Sequence, residues 1–185
     1  MKPNWFIGWP VSLPPGWLHS LEPPPRMRVL HPDDLHATVA FLGDVSEAAA
    51  RRAWGALPDC LEGPHVATWG DIVPMGPPRR YSALSAELET PAGVLRSQVA
   101  MLQPPLLDAA GARPARYPPR PHVTIARPQR RASEAARAEG LQWAAGLSVP
   151  ESVAVVDRIA LYTWSDDRRQ RLFRVVAERP LGASR

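Results

Sequence analysis

Two stretches of the chain place an imidazole and a hydroxyl two residues apart. Leu35-His36-Ala37-Thr38-Val39-Ala40-Phe41-Leu42-Gly43 and Arg120-Pro121-His122-Val123-Thr124-Ile125-Ala126-Arg127 share the pattern His-x-Thr-x inside apolar runs. Alternate side chains of a β-strand share a face. His36, Thr38 and Ala40 therefore fall on one side of the first strand, with Leu35, Ala37, Val39 and Phe41 on the other. In the second strand His122 and Thr124 oppose Val123 and Ile125. The apolar faces have a core to fill. One imidazole on such a strand reads as a satisfied structural group; two matched pairs are what an acid and a base on opposite sides of one substrate require. If the strands pack about a pseudo-twofold axis, each gives one imidazole and one hydroxyl to a shared cleft.

Other candidates for chemistry are weaker. His65 has no threonine two residues on and follows Pro64, which suits a surface or core histidine. Cys60 is the single cysteine and follows Pro58-Asp59 at the end of a helical pattern, so it is expected as a small buried residue rather than a nucleophile. A zinc site built on His36 and His122 lacks a third ligand in either motif, and threonine is a poor zinc ligand. Arg168-Arg169-Gln170-Arg171 is a basic run that serves either as a solvated hairpin tip or as a contact to RNA phosphates.

The elements that must hold the two motifs follow from periodicity and punctuation. Asn4 to Trp9 reads as a strand closed by Pro10, and a helix is expected from Ser12 or Pro14 with Trp17, Leu18 and Leu21 on one side. Pro23-Pro24-Pro25 forces an extended linker, and Pro32-Asp33-Asp34 a turn before the first motif. Ser46 caps a helix whose buried stripe is Ala50, Ala53, Trp54 and Leu57. Strands are expected over His65 to Val73 and Tyr81 to Leu88. Thr90-Pro91 opens a helix through Val94, Leu95, Val99 and Leu102 to about Gln103, where Pro104-Pro105 ends it. Asp108 to Pro119 is an irregular stretch, either a lid or substrate loop or a solvated basic connection.

After the second motif Ser133-Glu134-Ala135-Ala136 echoes Ser46-Glu47-Ala48-Ala49, and strands follow over Ser152 to Trp164 and Arg171 to Glu178. Strand, helix, His-x-Thr strand, helix, strand thus occurs over about 4–73 and again over 81–164, with an extra C-terminal strand at 171–178. Element order implies a duplicated α+β unit and leaves open the lobe to which each strand belongs. The fold expected is α+β: one bilobal domain over 1–185, with two mainly antiparallel sheets and outer helices around a central cleft carrying the two motif strands.

Length and composition agree. The 185 residues are 45% apolar, enough for one sizeable core. A lone cysteine excludes a disulfide framework and fits a reducing cytoplasm. No stretch resembles a signal peptide or a membrane span. The net charge is +4 and the pI about 10.0, with Lys2 the only lysine. An arginine bias fits a phosphate-bearing partner, and GC-rich codon usage would produce it equally.

With both motifs in view, the chain resembles the 2H phosphoesterase superfamily and, within it, the LigT-like RNA 2′,3′-cyclic phosphodiesterases. Asp34 to Gly43 and Arg120 to Arg127 carry the resemblance, flanked by the two serine-capped helices and by Arg158-Ile159-Ala160-Leu161-Tyr162. It departs in a tryptophan-rich first strand and in Ala37, where a larger aliphatic is common. The resemblance implies metal-independent, cofactor-free hydrolysis of an RNA or nucleoside 2′,3′-cyclic phosphate to a 2′-phosphate, by a cytoplasmic monomer. His36 and His122 would be catalytic, with His122 activating water and His36 protonating the leaving oxygen. Thr38 and Thr124 would bind the phosphate, aided by Arg127 and more weakly by Arg120; by strict alternation Arg127 falls on the apolar side unless the strand twists or ends before it. Alternatives are another small cyclic or 2′-5′-linked nucleotide, reversible 2′-5′ RNA ligation, and a non-catalytic module binding RNA ends.

Overall fold

The computed structural model describes residues 2–14 and 16–182. Among the described residues there are nine strands: β1 (Trp5–Pro10), β2 (Met27–Val29), β3 (His36–Gly43), β4 (His65–Pro74), β5 (Leu84–Glu89), β6 (His122–Pro128), β7 (Val153–Val156), β8 (Arg158–Trp164) and β9 (Phe173–Pro180). Three α-helices accompany them: α1 (Glu47–Gly55), α2 (Val94–Ala110) and α3 (Glu134–Ala145). Every recorded strand pair is antiparallel. The order is β7-β4-β5-β6-β3-β1-β8-β9, with β2 added beside β6.

Where two sheets were expected there is one continuous sheet with two halves, β3-β1-β8-β9 and β6-β5-β4-β7. They join through one paired position, Ala37 opposite Val123. The halves do not follow the sequence repeats. β4, at the end of the first repeat, lies in the half of the second motif, and β8, at the end of the second repeat, lies in the half of the first. The single strand expected over Ser152 to Trp164 is accordingly two, broken at Asp157, because β7 pairs with β4 while β8 pairs with β1 and β9.

Helices α1 and α2 cover one face of the first half and α3 covers part of the second. Between helices and strands lies a continuous apolar core that includes Ile7, Trp9, Val39, Leu95, Leu106, Ile125 and, on β8, Ile159 and Leu161. Ser46 Oγ accepts from the Ala49 amide at 3.2 Å and Ser133 Oγ from the Ala136 amide at 3.1 Å, so both N-caps form as expected.

Three local expectations are corrected. Among the described residues of 12–21 the helical structure is a 3-10 turn at Leu18–Ser20, because Gly16 sits at φ +87°, outside helical space. α2 runs through Pro104 and Pro105 to Ala110, taking in the first three residues of the expected loop. Its buried stripe of Leu95, Val99, Leu102 and Leu106 continues across them, while the prolines face solvent, where the carbonyls deprived of amide partners can meet water. Cys60 is exposed rather than buried.

Candidate active site

The motif strands lie side by side, and their register places the four motif side chains. With Ala37 opposite Val123 and both fully buried, the flanking residues of both strands point to the other face of the sheet. His36 then stands across from Thr124 and Thr38 across from His122, so the imidazoles are diagonal neighbours, a geometry that spans about 7–8 Å in a regular ladder. Each ring is anchored identically. His36 Nδ1 lies 2.7 Å from the carbonyl of Asp34, and His122 Nδ1 lies 2.6 Å from the carbonyl of Arg120. A carbonyl only accepts, so Nδ1 carries the proton in both rings and Nε2 is the ring nitrogen left without a protein partner.

The rings differ in what surrounds them. His36 stacks on Phe6 at 4.4 Å between centroids and lies 5.3 Å from Tyr162 and 5.4 Å, edge-on, from Phe173. This enclosure lowers its pKa to about 4, although part of its surface meets solvent; the charges of Arg127 and His122 push the same way and the bond to Asp34 opposes them. Burial among the same rings pushes the Tyr162 phenol up. Around His122 the groups are polar. Its cross-strand neighbour Glu87 accepts from Arg120 Nε at 2.6 Å. Its pKa is also lowered, first by burial, with the Arg120 carbonyl and the Glu87 carboxylate acting in the opposite direction. Thr124 shares a 3.2 Å hydrogen bond with the buried Ser85 hydroxyl.

Arg127 faces this same side. In β6 Thr124 pairs with Ser85 and Ala126 with Leu84, leaving Ile125 unpaired in a β-bulge that reverses the alternation beyond it. Arg127 therefore joins His122 and Thr124, and its charge acts on both imidazoles. Its Nε is buried with no hydrogen-bond partner. β3 has the equivalent bulge: Thr38 pairs with Gly8 and Ala40 with Ile7, leaving Val39 unpaired. Ala40 and Leu42 consequently turn into the core, and Phe41, expected inside, is 57% exposed opposite Phe6. Arg120 serves the site through its carbonyl, since its guanidinium is engaged by Glu87.

Asp34 was not singled out as a functional residue in the sequence. Its fully buried carboxylate accepts from the amides of Leu172 at 2.6 Å and Phe173 at 2.9 Å, tying the start of β9 to the first motif. Ser85 and Glu87 were also missed; the alternation Leu84-Ser85-Ala86-Glu87-Leu88 would have put both on one face. The cavities of 610 Å³ and 420 Å³ lie beside α2 and residues 111–119, away from both histidines. Among the described residues no three histidine, cysteine, aspartate or glutamate side chains are grouped as a metal site requires, and no helix is long and apolar enough to cross a membrane.

An antiparallel α+β sheet in two halves, with the two histidine-bearing strands side by side where the halves meet, is the fold shared with LigT-type phosphoesterases. No family model and no curated protein matches the chain. Solved structures do: LigT of E. coli complexed with 3′-AMP, at 19% identity and TM-score 0.64, with 98% of this chain and 100% of that one covered. A protein described as a phosphoesterase is similar at 18% identity and TM-score 0.64 over 99% of this chain and 100% of its own. TT0787 of Thermus thermophilus is similar at 20% identity and TM-score 0.60, covering 96% and 97%.

Proposed function

We propose that the protein is a 2H phosphoesterase that hydrolyses the 2′,3′-cyclic phosphate of a nucleotide or RNA end to a 2′-phosphate, using its own side chains as acid, base and phosphate ligands. The observation that supports this best is the pairing of two Nδ1-anchored imidazoles with a half-buried arginine whose buried Nε lacks a partner. A partnerless donor in the protein interior costs about 1–3 kcal/mol. A phosphate oxygen at that position would satisfy it, with the two threonine hydroxyls and two imidazoles around the same group. The LigT structure with 3′-AMP supports a nucleotide as the carrier of that phosphate.

In this reading His36 is the base. Its aromatic surroundings hold it neutral at pH 7, so Nε2 takes the proton of a water whose oxygen bonds to phosphorus. His122, beside the Glu87 carboxylate, is the acid. Doubly protonated, with Nδ1–H kept on the Arg120 carbonyl, it gives its Nε2 proton to the ribose O3′ as the P–O3′ bond breaks, leaving the phosphate on O2′. This division is the reverse of the one the resemblance implies. Thr38 and Thr124 donate to the non-bridging oxygens, Thr124 accepting from Ser85 as it does so, and Arg127 offsets the charge that builds there.

The test uses purified protein, a nucleoside 2′,3′-cyclic phosphate and a chelator, with identification of the phosphate isomer formed. His36→Ala and His122→Ala should each lower kcat at least about 100-fold with folding intact, as loss of an acid or base does. An aryl phosphodiester such as bis(p-nitrophenyl) phosphate, whose leaving group needs no proton, assigns the roles: His122→Ala should retain activity on it and His36→Ala should not. Absence of turnover by the unaltered protein would refute the function; equal losses on the aryl substrate would refute the division of roles. Binding without turnover is the outcome expected of a non-catalytic module.

A further inference from the structure

The basic run 168–171 has no part in the reaction just proposed, yet the structure holds it at the site. It forms the tip between β8 and β9, next to the residues that Asp34 fixes to the first motif. From the other half, Arg28 on β2 reaches across to it: its guanidinium donates to the carbonyl of Arg168 twice at 3.1 Å and to that of Arg169 at 3.2 Å. Arg28 pairs with Arg127, so this clamp lies one strand from the proposed phosphate ligand. A series of ring contacts also runs out from the catalytic base. Phe173 is edge-on to His36 at 5.4 Å, Trp164 stacks on Phe173 at 5.2 Å, and the Arg168 guanidinium lies over Trp164 at 4.8 Å.

Of the tip's two acids Asp167 is engaged and Asp166 is exposed, while Arg28 occupies the carbonyls of Arg168 and Arg169. Arg171 faces Asp33 at 3.6 Å and donates to the Phe173 carbonyl, and Asp167 accepts from the Arg169 amide. Two exposed guanidinium groups are left, one lying flat on a tryptophan and one, that of Arg169, with no partner among the described residues. A turn offering two guanidinium groups, with the carbonyls of Arg168 and Arg169 masked by a third, suits a chain of phosphodiesters, and guanidinium planes also stack on unpaired bases.

We propose that this tip binds the sugar-phosphate backbone of a single-stranded RNA whose 3′ end lies between His36 and His122, so that the protein prefers an RNA terminus to a free nucleotide. The inference rests on the function proposed above and deepens it. It is tested by comparing kcat/KM for a nucleoside 2′,3′-cyclic phosphate and for a short oligoribonucleotide with the same end, in the unaltered protein, in Arg169→Gln and in Arg168→Gln/Arg169→Gln. The double variant should lose at least about tenfold on the oligonucleotide at low salt and nothing on the nucleotide. The slope of log kcat/KM against log salt for the oligonucleotide should become shallower by about 1.4, the contribution of two phosphate contacts to a single strand. Anisotropy of a 5′-labelled oligonucleotide reads the same surface without turnover and should show the same loss. The proposal is overturned if the unaltered protein treats the two substrates alike, if both substrates suffer equally in the variants, or if oligonucleotide binding is unchanged. Failure of the proposed function itself differs from these, being absence of nucleotide turnover by the unaltered protein.

Discussion

Arg127 is the residue whose surroundings least resemble those of a side chain kept for stability. Burial is the largest influence on its pKa and lowers it, Asp34 is the opposing charge, and Nε has no hydrogen-bond partner. Asp34, meanwhile, is held by two backbone amides of its own. Arg127→Met keeps the bulk and removes the charge. It should leave the Tm unchanged or raise it, because a buried partnerless donor is relieved, while kcat/KM on a cyclic phosphate falls about 100-fold. Thermal melts and steady-state kinetics check both halves, and a destabilised variant of normal activity would contradict the assignment. Strict alternation put Arg127 on the apolar side, and the Ile125 bulge is the reason it is not. Nothing in Val123-Thr124-Ile125-Ala126 announces a bulge, since two adjacent apolar residues fit either parity; the same holds for Val39-Ala40 and the exposed Phe41. The four motif residues were legible because each His-Thr pair precedes its bulge.

At the scale of elements, the approach of β1 to β3 sets the spacing of the first motif. Gly8 pairs with Thr38, and a Cβ on Gly8 would stand 2.8 Å from the carbonyl oxygen of Ala37. That oxygen belongs to the backbone and cannot swing away. Gly8→Ala should therefore force the strands apart between His36 and Thr38, costing about 1–3 kcal/mol as overpacking does. Urea denaturation would show this as a lower midpoint at unchanged m, and kcat should fall further than a stability loss alone explains; a neutral substitution would mean that β1 does not set the spacing. The caps at Ser46 and Ser133 were legible because a cap is decided within four residues. α2 was misjudged at its prolines because what carries the helix through them is the burial of Leu106, Leu107 and Ala110, a tertiary term that outweighs the local cost of Pro104-Pro105.

At the scale of the whole molecule, the repeats exchange their last strands, so neither half of the sequence builds its own half of the sheet. Element order alone could not reveal this, because pairing of β8 with β1 is decided by contacts about 150 residues apart in sequence, such as Phe6 with Tyr162. The exchange matters for the chemistry: β8 and β9 bring Tyr162 and Phe173 to His36, while β5 brings Ser85 and Glu87 toward β6, and so two similar motifs acquire unlike environments. A thermodynamic consequence follows. His36 is held down from 6.5 to about 4 and His122 is also lowered. Between those pH values the unfolded chain binds a proton at position 36 that the native protein refuses, so stability should be greatest above about 6.5 and decline as pH falls toward 4. For His36 the full shift corresponds to about 3 kcal/mol, a ceiling because part of the ring meets water. Denaturation of the unaltered protein and of His36→Gln across this range isolates the contribution: the stability difference between them should shift against the unaltered protein by up to that amount from pH 7.5 to 4.5. Added phosphate, which favours protonated imidazoles, should raise the Tm more at pH 5 than at pH 8. A difference that stays flat with pH would show that the aromatic floor leaves His36 as free to protonate in the folded protein as in the unfolded chain.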